Sequence, residues 1–268
     1  MNALDETTRR NLELTPLLRE PVLRAALDAL ALPRGGHGLD VGTGIGLHGP
    51  LLAEATDGRV TGLDLAPALI ECARERVTGS PWADRVAFVT GDARALPFND
   101  GACAWAWSVD CVGYPAGEPG PALAEMARVV QPGGTVAVLG WTSQTLLAGY
   151  KQLEARLEAA ASAYAPLLEG QPPAQHFLRA RGAFDRVGLV DVTARTFVGE
   201  VRAPLGASSR AAVASLLGML WDVRKVTVAD DRAELARLTD PRSRDFLPDA
   251  PDYYGFFTYT MFAGRVRG

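Results

Sequence analysis

The stretch Leu39-Asp40-Val41-Gly42-Thr43-Gly44-Ile45-Gly46 decides how the chain is read. A short apolar run ends beside an acid, and glycine then takes every second position. Glycine has no Cβ, so the chain can turn sharply there and a ligand can approach its backbone closely. The next residues, Leu47–Ala55, have the apolar spacing of a helix. A glycine turn between strand and helix lies at the carboxyl edge of a sheet, where open α/β sheets hold their ligands.

Outward from this turn, two textures alternate. Apolar runs at Gly38–Val41, Arg59–Leu63, Val86–Val89, Ala104–Val109 and Thr135–Leu139 predict strands. Helical spacing at Pro21–Leu30, Leu47–Ala55, Pro67–Val77 and Ala122–Val130 predicts helices between and before them. Runs this apolar suit strands buried on both faces, hence a parallel sheet covered by helices. The expected fold class is α/β, doubly wound and mostly parallel. After Gly140 the texture changes. Ser143–Glu169 reads as a helix or helix pair, His176–Val187 as a helix and Asp191–Val201 as a strand. Ser208–Leu220 reads as a further helix and Phe256–Val266 as a closing aromatic strand. The chain then divides into a ligand-binding α/β core (1–140) and a helical linker and cap segment (141–189). Terminal strands complete the sheet (190–204 and 255–268), and a cap insertion separates them (205–254).

Composition excludes several classes. Of 268 residues, 48% are hydrophobic and 22% charged, which suits a packed core and rules out collagen, coiled coil and extended disorder. No apolar run reaches membrane-spanning length. Met1–Glu20 has no long apolar stretch and is not expected to be a secretory signal. The cysteines, Cys72, Cys103 and Cys111, form no C-x-x-C spacing, which points to a reduced, cytoplasmic setting. The net charge of −4, with arginines scattered among acids, leaves no footprint for nucleic acid. Three dispersed histidines without an acidic partner at ligand spacing predict no metal site.

The acids around the turn constrain the ligand. Gly44, Gly46 and Gly49 spell G-x-G-x-x-G, the spacing of a dinucleotide-binding loop, which keeps an NAD(P)-dependent oxidoreductase as one alternative. In that register Asp40 would lie beside a diphosphate, and like charges a few ångströms apart repel by on the order of a kcal/mol even when screened. An acid there suits a cation. Asp64 ends the second strand, where a carboxylate can accept from ribose hydroxyls at roughly 1.5–3 kcal/mol per bond. Asp92 follows the third strand and can accept from an adenine amine. S-adenosylmethionine combines a ribose, an α-amino group and a sulfonium, and has no phosphate.

With these residues in place, the chain resembles the class I S-adenosylmethionine-dependent methyltransferases, in particular the small-molecule type similar to the ubiquinone/menaquinone-biosynthesis enzymes. The matching segments are LDVGTGIG (39–46), VTGLDLAP (60–67), GDARALPF (91–98), WSVDCVGYP (107–115) and EMARVVQPGG (125–134). The resemblance implies a Rossmann-like sheet of seven strands, the last antiparallel. It implies that Asp40, Gly42, Thr43 and Gly44, with Gly46 of the same turn, hold the methionine part of the cofactor. Asp64 and Leu65 would hold the ribose and flank the adenine, Asp92 and Ala93 would meet the adenine edge, and Ser108 would place its backbone near the amino-acid end. Cys103-Ala104, where relatives carry Phe-Asp, and the long insertion before the last strand depart from the pattern.

The implied reaction is methyl transfer to an oxygen, nitrogen or carbon of a small, apolar or aromatic metabolite. Because the cofactor supplies the electrophile, the protein mainly positions and encloses the reactants. No catalytic residue follows from the sequence; the candidates for a base are His48, Asp110 and His176. Tyr114, Trp141, Tyr253 and Tyr254 are the candidate acceptor contacts, under a lid that includes Ser143–Glu169 and Ser208–Leu220. A protein that keeps the fold and binds the cofactor without methylating is the other alternative.

Overall fold

The computed structural model describes residues 6–113, 118–159 and 176–268. The five apolar runs become β1 (His37–Val41), β2 (Arg59–Asp64), β3 (Val86–Thr90), β4 (Cys103–Val109) and β5 (Val130–Thr145). Two further strands, β6 (Val190–Arg202) and β7 (Tyr254–Arg265), complete one sheet of order β3-β2-β1-β4-β5-β7-β6. The first five strands are parallel, and β7 runs antiparallel to both β5 and β6. This is the expected seven-stranded, doubly wound sheet. The strand order reverses between β1 and β4, which opens a crevice beyond the end of β1, where the glycine turn lies.

Helices α1 (Glu6–Leu14), α2 (Pro16–Leu30), α3 (His48–Thr56), α4 (Pro67–Val77) and α5 (Gly120–Val129) belong to the first half. Helices α6 (Lys151–Glu158), α7 (Arg181–Arg186), α8 (Ala207–Leu220) and α9 (Ala229–Thr239) belong to the second. Strand alternation sorts the core into two faces. Trp105, Trp107, Ala137 and Leu139 pack on the side of α2 and α8, with Val22, Leu23, Leu216 and Leu217. Ala106, Val136 and Val138 pack on the opposite side, against Leu123, Met126 and Val129 of α5. Trp221, Leu235 and Phe246, from between β6 and β7, are buried in the first of these clusters. The insertion therefore shares the main core.

Three sequence expectations change. Residues 143–145 are strand, not helix: Ser143, Gln144 and Thr145 continue β5 and pair with Thr258, Phe257 and Phe256. Unpaired backbone on β7 offers them a ladder that local helix propensity cannot outweigh. Within the predicted segment the described helix is α6, and residues 160–169 lie outside the described residues. The predicted helix His176–Val187 is a 3-10 turn at Phe177–Arg179 followed by α7. His176 caps that turn by accepting from the Leu178 N–H, which starts a new element there. Finally, α2 begins at Pro16 rather than Pro21. Pro16 takes the first-turn position, where a missing N–H costs nothing, and Pro21 lies inside.

The glycine turn is held from below. Gly42, Gly44 and Gly46 all have positive φ, of 78°, 55° and 77°. A Cβ on Gly46 would lie 2.6 Å from a Phe88 ring carbon and 2.7 Å from Ala73 Cβ. Gly46→Ala combines left-handed strain with overpacking and should destabilise the fold by roughly 2–4 kcal/mol. Urea unfolding measures this, and a loss below about 0.5 kcal/mol would show that the turn is not seated on α4 and β3.

Candidate functional site

The site begins with Asp40, the last but one residue of β1 and fully buried. Its Oδ2 accepts from the Thr43 hydroxyl at 2.7 Å, while Oδ1 has no hydrogen-bond partner among the described residues. Burial, reinforced by the nearby Asp64 carboxylate and partly offset by the Thr43 bond, pushes its pKa up to about 7. The turn itself is pinned by the N–H groups of Gly42 and Thr43, which both donate to Leu63 O, and by Gly46 N–H donating to Thr43 O. Asp64, at the end of β2, ties the turn to the next helix. Its Oδ2 accepts from Gly44 N–H at 2.9 Å and its Oδ1 from Ala66 N–H at 3.0 Å.

Two hollows meet at Gly42. One is a cleft of about 260 Å³, lined by Asp64, Leu65, Asp92, Ala93 and Cys111. Leu65 is 66% exposed, an unusual position for a leucine, and presents an apolar face to this cleft. Asp92 is already engaged: Arg94 binds both of its carboxylate oxygens and donates its backbone N–H to Oδ1. Those bonds hold the Asp92 pKa down at about 2. The other hollow is a cavity of about 320 Å³ on the far side of the turn, lined by Thr43, Gly44, His48, Asp110 and Trp141. Leu12 of α1 and Leu216, Met219 and Leu220 of α8 form its apolar roof. The two roofing helices are joined by a hydrogen bond from the Ser215 hydroxyl to Asn11 Oδ1.

The structure brings Gly42, Thr43, Gly44, Asp64, Leu65, Asp92 and Ala93 together around this one seam, and Asp40 lies fully buried beneath it, bonded to Thr43 and lining neither hollow. Gly46 seats the turn rather than facing a hollow, and Ser108 is buried behind it, its hydroxyl accepting from Val112 N–H. Trp141 lines the cavity and stacks on Phe257 with ring centroids 4.7 Å apart. Tyr253 is buried elsewhere and donates to Leu146 O, and Tyr254 is exposed and donates to Glu200; neither lines the cavity. Tyr254 opens β7 opposite Arg202 and Tyr253 lies just before it, so both sit at the strand's start with their hydroxyls engaged away from the cavity. Tyr114 lies outside the described residues.

The candidate bases fare differently. His176 is spent on its cap. His48 lines the cavity, but burial and then the positive charge of Arg19 lower its pKa to about 3, so it is a neutral imidazole. Asp110 neither caps a helix nor stands free. Its Oδ1 accepts from Trp141 N–H, and its Oδ2 accepts from Arg19 and from the Tyr259 hydroxyl at 2.9 and 2.7 Å. Arg19 and Tyr259 are cavity residues that the sequence did not reveal.

This arrangement favours a cation beside the turn. An orphaned carboxylate oxygen and a second carboxylate close by attract positive charge, and an anion would be repelled. A Cβ on Gly44 would meet nothing within 4 Å, so there is room for a ligand against the backbone at that point.

Residues 39–134 match the family model for a methyltransferase domain. The chain is 39% identical over 121 residues to a ubiquinone/menaquinone biosynthesis C-methyltransferase of Paracoccus denitrificans, covering 43% of this chain and 46% of that protein. It is 33% identical over 111 residues to the methyltransferase GfsG of Streptomyces halstedii, covering 41% of this chain and 40% of that one. The chain thus spans less than half the length of these relatives. Its fold matches the geranyl diphosphate C-methyltransferase of Streptomyces coelicolor, solved with S-adenosyl-L-homocysteine, with a TM-score of 0.54 at 14% identity, covering 92% and 79% of the two chains. The architecture is the Rossmann-like methyltransferase fold.

The Asp40 carboxyl makes a prediction for the ligand-free protein. Its folded pKa exceeds its unfolded value of 3.8, so the folded state binds more protons between pH 4 and 7. Stability attributable to this group therefore falls as pH rises through that window, and the penalty is complete above it. Asp40→Asn should raise the unfolding free energy at pH 8 by on the order of a few kcal/mol, measured by urea unfolding, and the gain should shrink toward pH 5. A gain that is constant across pH would show that Asp40 is already ionised at little cost.

Proposed function

We propose that the chain transfers the methyl group of S-adenosylmethionine to a small, largely apolar acceptor. The observation that carries this is Asp40 with its unpartnered, buried Oδ1 inside the glycine turn. Asp40, Thr43 and Gly44 hold the cationic amino-acid end. Asp64 keeps lone pairs for the ribose hydroxyls while bracing Gly44 and Ala66. Asp64 and Leu65 flank the adenine, with Asp92 and Ala93 at its edge. When bound, the cofactor supplies a methyl group on a cationic sulfur. The chain's part is to place that methyl at the mouth of the 320 Å³ cavity and to keep water out.

The roof of Leu12, Leu216 and Leu220 suits an apolar body, and the likeness to quinone C-methyltransferases supports an acceptor of that kind. Of the 205–254 segment, α8 serves as part of the lid together with α1, while Trp221, Leu235 and Phe246 belong to the core. A reduced, cytoplasmic setting suits the three cysteines, Cys72, Cys103 and Cys111, which cannot all pair with one another. An NAD(P) oxidoreductase would set a diphosphate against Asp40 and Asp64, and the geometry opposes that.

Incubation with methyl-labelled S-adenosylmethionine and a panel of small phenols, quinols and enolisable ketones tests the reaction. Label in an acceptor is the expected result; cofactor binding with no transfer to any of them would favour the non-methylating alternative. Asp64→Ala should weaken S-adenosylhomocysteine binding by about 2–4 kcal/mol, roughly 30- to 1,000-fold. Asp64→Asn, which keeps an acceptor for Gly44 N–H, should lose about tenfold. An effect below about threefold for the alanine variant contradicts the ribose assignment.

A further inference from the structure

The second wall of the cavity is built around Arg19. This side chain comes from α2, far from the glycine turn in sequence, and lines the hollow beside His48 and Trp141. Among the described residues its hydrogen bonds run through one nitrogen: Nη1 donates to Asp110 Oδ2 at 2.9 Å and to the Tyr259 hydroxyl at 3.4 Å. Its Nε is buried with no partner. In a guanidinium, Nε–H and one Nη2–H point the same way and form a fork that matches two oxygens, or one oxygen with two lone pairs. That fork edge is unused here. A buried, unpaired donor on a charged group carries a substantial desolvation cost, so the fold retains something it does not satisfy by itself.

Asp110 fixes the orientation. Its Oδ1 is held by Trp141 N–H and its Oδ2 takes both Arg19 and Tyr259, so the Nη1 side of the guanidinium is clamped and the fork edge is left over. Asp110 itself adopts a left-handed backbone with φ of 49°, a conformation that costs a non-glycine residue energy and must be held by its surroundings. The other titratable groups facing the cavity offer no base. His48 has its Nδ1 unpartnered 4.0 Å from Asp40 and is neutral, Tyr259 donates its proton to Asp110, and Asp110 already accepts three bonds.

We propose that Arg19 binds an anionic oxygen of the methyl acceptor through its Nε/Nη2 edge, so that the substrate is an apolar molecule that arrives as an oxyanion. A carboxylate, phenolate or enolate supplies this chemistry. The inference rests on the cofactor reading above. The electron pair of the anion, on oxygen or on the conjugated carbon, forms the new bond to the methyl carbon. The carbon–sulfur bond breaks and its pair stays on sulfur, which becomes a neutral thioether. The acceptor ends neutral, no proton has to leave it within the cavity, and no side chain acts as base. Arg19 is then a specificity-determining contact, with Asp110 and Tyr259 as its positioning residues.

The test uses the full chain saturated with S-adenosylhomocysteine, and calorimetry with two probe pairs: benzoate against benzamide, and 4-nitrophenol at pH 8.5 against 4-nitroaniline. Each anion should bind at least about tenfold more tightly than its neutral partner. Arg19→Met should bring both ratios near one while changing the S-adenosylhomocysteine affinity less than about threefold. Because that variant leaves Asp110 without its cation, Arg19→Lys is measured beside it. Lysine keeps the charge but has no fork, and should lose most of the carboxylate preference with its melting temperature closer to wild type. Preference for benzoate alone or for the nitrophenolate alone identifies which oxyanion the site takes. Equal binding of charged and neutral probes, no binding of either anion, or an anion preference that survives in both variants overturns the proposal. Failure of S-adenosylhomocysteine to bind at the outset would instead overturn the cofactor reading, so the two outcomes are separable.

Discussion

A carboxylic acid buried with one oxygen unsatisfied is the constraint around which this molecule is arranged. Asp40 stands one residue before the end of β1, a strand buried at every position after His37, and Thr43 is its one hydrogen-bond partner among the described residues. Ordinary folding would neutralise or replace such a group, because burying it costs stability. Its retention makes sense when a positive charge arrives from outside. The glycine turn allows that charge to come within reach, since side chains at Gly42 or Gly44 would fill the seam or strain the backbone. Asp64 keeps the turn in shape by accepting from Gly44 N–H. The local structure thus trades stability for a site, a common exchange at functional positions.

The larger fold serves this arrangement by geometry. Reversal of strand order between β1 and β4 opens the crevice, and the parallel strands all deliver their carboxyl ends to the same edge. The antiparallel pair β6 and β7 then extends the sheet past β5, and β5 itself lengthens to Thr145 to meet it. That extension carries Trp141 and Tyr259 up beside the turn. Helices α1 and α8 close over them from opposite ends of the chain, which explains why one cavity draws on residues from Asn11 to Tyr259. Two hollows share Gly42, and in the proposed reading the nucleoside would take the side of Asp64 and Leu65 and the acceptor the side of His48 and Trp141.

Much of this was legible in the sequence, for a definite reason. Strands β1 to β4 are short, apolar and bounded by turn residues, and the acids at Asp40, Asp64 and Asp92 sit at their ends, so local pattern and function coincide. The helix α4 was readable to the residue, because Pro67 marks its start. The alternation of Phe257, Tyr259 and Met261 onto one face of β7 also followed from period two. What was not legible depends on contacts between distant residues. Arg19 reaches Asp110 across 91 positions and Tyr259 does so across 149, and no spacing rule encodes either pair. The extension of β5 failed for the same reason: residues 141–145 are strand because β7 is there to pair with them. Tyr253 and Tyr254 were chosen for being aromatic near a crevice, yet their hydroxyls are committed to Leu146 and Glu200.

The central claim is that the turn selects a cationic nucleoside over a phosphorylated one. Equilibrium titration of the purified chain with S-adenosylmethionine and, separately, with NAD+ and NADH measures that choice directly. The account expects saturable binding of S-adenosylmethionine at micromolar concentration, undisturbed by an excess of either dinucleotide. Tight binding of NAD+ or NADH that displaces S-adenosylmethionine from the seam at Gly42 would contradict it.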